Sequence, residues 1–228
     1  DLFDMQAIRN PSTLKMKTIL DETYTNQELG KQVRHIKITF FSNTWFSVDI
    51  YGSADIYIPV PLPSQNKGNG AIIQDHSEVL DPGMSIQYDF GEKTALRFGL
   101  PVMVCNCSVP ASDYGFSWET DLSRIFREEM FLDNDMTKEI AYPLAYIYMR
   151  AMTAFNTMSE ADNPARFVIG GSSKRGLTQW VVAAVDDRVK GFMSSAFNSA
   201  NLINFWNLVD KDWGGTSYLA ISNAETVL

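Results

Sequence analysis

Between Arg166 and Leu177 the chain reads Arg-Phe-Val-Ile-Gly-Gly-Ser-Ser-Lys-Arg-Gly-Leu, an apolar run that meets a Gly/Ser turn and leaves it as a helix. Phe167 to Ile169 predict a short strand closed by Gly170, and Leu177, Trp180, Val181 and Ala184 then fall at i, i+3, i+4, i+7, one apolar stripe of a helix. So direct a passage from strand to helix forces a tight turn, and the residues flanking its apex must be small. It also lifts the apical side chain clear of the sheet and aims the next backbone N–H at the same space. Ser173 holds the apex in Gly171-x-Ser173-x-x-Gly176, a nucleophile elbow in which Lys174 supplies the adjacent N–H. Arg175 stands where the commonest form of the motif has a glycine. An ordinary βα turn, with serines and glycines that merely cap the helix and ease the bend, is the competing reading of the same residues.

At 228 residues and 45% hydrophobic, the chain is long enough for one large α/β domain. The net charge is -8, and lysines and arginines do not interleave with aromatics into a phosphate-tracking stripe, so nucleic acid is not an expected partner. The strongest apolar stretch, Tyr142 to Met149, is closed by Arg150 and falls well short of the ~20 residues that span a bilayer. A soluble protein without a membrane span is the expectation. Residues 1–28 lack the basic and apolar pattern of a signal peptide, which fits either a removed leader or none. Cys105 and Cys107 lie two apart on one face of a predicted strand, unsuited to a disulfide with each other, and give no metal-ligand spacing. No cofactor and no metal are expected.

Ile36, Ile38 and Phe40 alternate with Lys37 and Thr39, a turn follows at Ser42-Asn43-Thr44, and Val48, Ile50, Ile56, Ile58 and Val60 continue the pattern: an antiparallel hairpin or meander. After the Pro/Gly/Asn-rich loop from Pro61 to Gly70, Ala71–Gln74 and Pro101–Cys107 are continuous apolar runs, the mark of parallel strands buried on both faces, with a helix-compatible segment near Tyr88 to Phe98 between them. Helical spacing returns at Leu122/Ile125/Phe126/Met130 and at Ile140/Leu144/Ile147/Ala151/Phe155/Met158. The elbow strand and helix come next, then a strand from Val189 to Ala196, then helical patterns at Ala200–Val209 and Tyr218–Val227. Strands alternating with helices predict a mostly parallel sheet with an antiparallel entry. Residues 1–35 read as an N-terminal extension and 36–228 as the N-terminal portion of the domain.

Gly171-x-Ser173-Lys174-Arg175-Gly176 with Trp180, then Asp187-Arg188-Val189, Asn201-Leu202 and Trp213-Gly214-Gly215, together with Glu119, Asp121 and Arg150-Ala151-Met152, resemble the PhoPQ-activated pathogenicity-related protein family from about Ile36 onward. The resemblance implies an α/β-hydrolase-like fold whose last strands this chain lacks. Because the family includes eukaryotic proteins described as autocrine proliferation repressors, it also implies a secreted or lumenal setting. A basic residue directly after the serine is similar to glucuronoyl esterases, where it helps to bind the oxyanion. Asn198 stands where the resemblance implies an aspartate, and the loop after Ile73 reads Gln74-Asp75-His76-Ser77 in place of a glycine pair.

A serine hydrolase needs a base for the hydroxyl proton and usually a carboxylate to orient it, in the chain order Ser, Asp or Glu, His. No histidine follows Ser173; the two present are His35 and His76. His76, in the loop after a predicted core strand, would lie at the sheet end that carries Ser173, which makes it a second-tier candidate with Asp75, set against the plain alternative of solvated loop residues. Lys174 reads either as a cation beside the oxyanion or as a first-turn helix residue with its amine in water. Arg175 reads as a further site candidate or as a structural partner of an acid on a neighbouring helix. The expectation is a serine-nucleophile ester hydrolase whose acid and histidine come from a second polypeptide segment, beside Val189 to Ala196, acting on a small ester. The alternatives are a catalytically silent signalling protein that binds a protein partner, and a structural subunit of a larger assembly.

Overall fold

The computed structural model describes residues 3–45, 48–75, 88–106, 141–172, 174–195 and Lys211. Two compact units divide the chain, Asp1–Ser195 and Ala196–Leu228, and the first carries the sheet. The elements are α1 (Met5–Arg9), β1 (Lys17–Asn26), β2 (Lys31–Trp45), β3 (Val48–Val60), β4 (Asn69–Asp75), α2 (Tyr88–Phe98), β5 (Val102–Asn106), α3 (Ala141–Asn156), β6 (Arg166–Ser172), α4 (Lys174–Val185) and β7 (Val189–Ser195). The helical patterns at Leu122–Met130, Ala200–Val209 and Tyr218–Val227 lie outside the described residues.

These strands form one seven-stranded sheet in the order β1-β2-β3-β5-β4-β6-β7. β1, β2 and β3 pair antiparallel in sequence, and β3 also pairs antiparallel with β5. From there the sheet is parallel: β5 to β4, β4 to β6, β6 to β7. The antiparallel entry and parallel body match the sequence patterns. β1 and the first residues of β2 draw part of the segment read as an N-terminal extension into the same sheet.

Neighbouring residues of β5 separate the two faces. Val102 and Val104 pack with Ala95 and Leu96 of α2, together with Val33 and Tyr57. Met103 and Cys105 belong to the larger core, with Ile72, Phe167 and Ile169 under Leu144, Tyr148, Met152 and Phe155 of α3 and Val182 of α4. Helices thus cover both faces, which accounts for the unbroken apolarity of β5. α2 sits close because Gly91 lacks a side chain: a Cβ there would lie 2.4 Å from Val104 and 3.0 Å from Tyr57. Cover thins toward β7: Val168 of β6 is 52% exposed, and on β7 itself Met193 is 61% exposed and Phe192 38%.

The N-terminal segment is fastened to the α3 face by two ionic groups. Arg150, buried in α3, donates to the carbonyls of Ala7 (3.1 Å), Ile8 (2.9 Å) and Asn10 (2.8 Å) and to Thr13 Oγ1 (2.9 Å). Burial, with the charge of Arg188 nearby, pulls its guanidinium pKa down, partly opposed by Tyr146. Arg9 reaches the turn after α4, where it pairs with Asp186 at 3.0 Å and with Asp187. Asp186 also holds Arg188 at 2.7 Å. Together these contacts keep residues 4–13 against the core without a long apolar helix.

Candidate active site

Parallel strands deliver their following loops to one end of the sheet, and a ligand crevice forms where two adjacent strands send their chains to opposite faces. β4 and β6 are such a pair: β4 leads toward α2 on one face and β6 leads into α4 on the other. Their ladders record the opening. β4 pairs with β5 as far as Asp75↔Asn106, and β6 with β7 as far as Ser172↔Ser195, yet β4 and β6 pair only to Ile73↔Gly170. The last two residues of each strand therefore flank a split at the carboxyl end of the sheet.

Each sequence candidate has its place relative to this split. β6 ends at Ser172 and α4 begins at Lys174, one residue apart in the chain; Ser173 itself lies outside the described residues. Lys174 opens α4, so its N–H belongs to the first turn, whose donors have no partner within the helix. Those orphan donors and the positive end of the helix favour an anion at this point. Asp75 closes β4, on the other side of the split, and His76, the next residue, is outside the described residues.

Arg175 does not open to solvent: its side chain is buried at the start of α4. Its carbonyl accepts a 3.0 Å bond from Gln179 Nε2, and the same carbonyl faces Gly171. A Cβ on Gly171 would lie 2.8 Å from Gln179 Nε2 and 3.0 Å from the Arg175 oxygen. Strand and helix approach each other at these two residues, so Gly171 leaves no room for a side chain.

His35 is separated from the split by architecture. It sits on β2 with Nε2 2.8 Å from Asp55 Oδ1 and its ring stacked on Tyr57 at 4.7 Å. β2 is four strands from β6, about 19 Å at the usual strand spacing of about 4.8 Å.

Tyr148 escaped the sequence reading. It occupies the buried stripe of α3 between Leu144 and Met152, and its hydroxyl reaches the split, 2.5 Å from the Ile72 carbonyl and 3.0 Å from the Gly170 carbonyl. A tyrosine on an otherwise aliphatic stripe is the available signal, since a buried phenol requires a polar partner. Asp186 and Gln179, buried polar residues that organise the ends of α4, gave no comparable signal.

The model of one protein family, PhoPQ-activated pathogenicity-related protein, matches residues 15–223, nearly the whole chain. The chain belongs to that family. As a PhoPQ-related protein it shares its fold with solved esterases. A glucuronoyl esterase from Teredinibacter turnerae superposes with a TM-score of 0.50 at 13% identity, over 80% of this chain and 45% of the esterase. Acetyl xylan esterase 1 from a Thermoanaerobacterium species gives 0.51 at 14% identity, over 96% of this chain and 65% of the esterase. The PhoPQ-related chain thus spans about half to two thirds of the length of these neighbours. At such identities the likeness establishes the α/β-hydrolase-like fold. No curated protein sequence matches the chain. Among the described residues, no helix is long and apolar enough to cross a membrane.

Proposed function

We propose that this PhoPQ-related chain carries the nucleophile of a serine hydrolase acting on small esters. The observation that carries the proposal is the close approach of Gly171 to the Arg175 carbonyl beside the β4–β6 split, because it leaves a single residue, Ser173, to make the passage from strand to helix. Ser173 Oγ attacks the ester carbonyl as a base takes its proton; the Lys174 N–H and the free donors of the first turn of α4 hold the tetrahedral oxyanion. Collapse expels the alcohol, which receives the proton, and water then releases the acid from the acyl-serine by the same steps in reverse roles. Lys174 adds a cation beside that oxyanion. With no histidine after Ser173 and His35 four strands away, the base and its acid come from a segment outside these 228 residues, with His76 and Asp75 as the local alternatives. The exposed apolar residues Val168 of β6 and Met193 of β7, on one face of the sheet, offer that segment a seat.

The substrates named for the structural neighbours, glucuronoyl esters and acetylated xylan, supply the first panel to assay. A fluorophosphonate applied to the full-length protein should form one adduct, located by peptide mass spectrometry on the tryptic fragment holding Ser173 and lost in Ser173→Ala. Absence of any adduct on the native protein would remove the proposal. One feature favours a second reading, a catalytically silent, secreted signalling protein of the proliferation-repressor kind: Asn198 stands where the family resemblance implies an acid, and an amide at that position is no anionic partner for a base. Unlabelled protein that still acts on cells with Ser173 replaced would select it.

A further inference from the structure

In a continuous parallel ladder, the backbone groups of β4 and β6 beyond Ile73↔Gly170 would bond to each other. At its last paired positions a side chain from a different layer meets the backbone of both strands. Tyr148 projects from the middle of α3 and is fully buried. Its hydroxyl donates toward two carbonyls, that of Ile72 at 2.5 Å and that of Gly170 at 3.0 Å. Its oxygen in turn lies 3.4 Å from the Gly170 N–H, a long contact but on the accepting side. One phenol therefore touches the last paired residue of β6 and the next-to-last paired residue of β4, where the two strands cease to pair. Gly170 stands three positions before Ser173, and Ile72 three positions before Asp75.

We propose that Tyr148 is a positioning residue: its hydroxyl wedges the ends of β4 and β6 apart and fixes the width of the crevice between those strand ends. The inference rests on the reading of Ser173 as nucleophile. Without the hydroxyl, the Ile72 carbonyl and the Gly170 N–H lose their shared partner inside a buried layer. The strands then either zip together by one further bond or admit water. Both outcomes move Gly171 and Ser172 relative to β4, and misplacement by about 1 Å costs on the order of 100-fold in rate.

The test compares the full-length protein with Tyr148→Phe, which keeps every carbon of the ring, and with Met152→Ala, one helical turn along α3 and equally buried. Fluorophosphonate labelling rates are measured well below the melting temperature of each. Tyr148→Phe should label 10- to 100-fold more slowly and exchange the amide hydrogens of Gly170 to Ser172 faster, whereas Met152→Ala should melt earlier and label at the parental rate. Tyr148→Phe labelled at the parental rate would overturn the positioning role and leave the serine-hydrolase reading intact. Equal slowing in both variants would also overturn it, since general loosening of α3 would then suffice. A parent protein that takes no label removes the nucleophile reading, and the positioning role with it.

Discussion

The Cβ that Gly171 lacks would sit 3.0 Å from the carbonyl oxygen of Arg175. That distance ties the end of β6 to the first turn of α4 and makes the passage between them a matter of backbone contact. Gly171→Ala should therefore cost about 1–3 kcal/mol, as overpacking does. Gly170→Ala is the matched control, because its Cβ would meet only the Met193 carbonyl at 3.9 Å. Urea melts of the two variants should separate them clearly. Equal stability would mean that strand and helix do not meet at Gly171.

Lys174→Ala tests the proposed contribution of Lys174 to oxyanion binding. Removing one oxyanion donor costs about 100-fold or more in turnover, on the order of 3 kcal/mol. The expected result is a loss of that size in kcat on an activated ester with the melting temperature unchanged. Unchanged kcat would leave Lys174 as a first-turn residue with no part in the chemistry.

Arg150 fastens the N-terminal segment through carbonyls of Ala7, Ile8 and Asn10. Arg150→Met retains most of the packing but removes hydrogen bonds from a charged donor, worth roughly 1.5–3 kcal/mol each, while Asn10 N–H, Thr153 and Thr13 still serve the three carbonyls. Limited proteolysis should then cut within residues 4–13 first, ahead of global unfolding. A variant as resistant as the parent would show that the segment is held by its apolar contacts, Phe3, Ile8 and Leu14, alone.

Asp186 makes acid stability a local property. Burial by itself pushes its carboxyl pKa up, but the hydrogen bonds and charge of Arg188, joined by Arg9, outweigh burial and hold it below the ordinary carboxylate value. A depressed folded pKa contributes stability that is fully present above the unfolded pKa and is lost as pH falls through the folded one. The acid limb of the stability curve should thus be less steep in Asp186→Asn than in the parent, although the variant is weaker at neutral pH. Parallel acid limbs would assign that limb to other carboxylates, such as Asp21, which Arg34 holds low through its hydrogen bonds.

The placement of the base is open to a direct check. Native material that hydrolyses an ester should yield peptides of a histidine-bearing segment outside the 228 residues at near-equal stoichiometry. An active species of 25.7 kDa alone would instead put the base within the chain, and since His35 is four strands from β6, on His76.

Local periodicity carried much of this protein into view. The alternation around Ile36–Phe40 and Ile56–Val60 is the β2–β3 hairpin, the stripe from Leu144 to Phe155 is α3, and the letters from Arg166 to Leu177 contain β6, the turn and the start of α4. Each depends on neighbours a few residues apart, and steric rules act at that range. The order β3-β5-β4-β6 does not. It brings Ile73 beside Gly170, 97 positions later in the chain, and only that long-range pairing creates a split at the sheet end. Tyr148 in the split and Arg9 on Asp186 follow from the same packing. A buried polar side chain takes its meaning from the partner it meets, and residues this distant in sequence meet only when the whole sheet has formed.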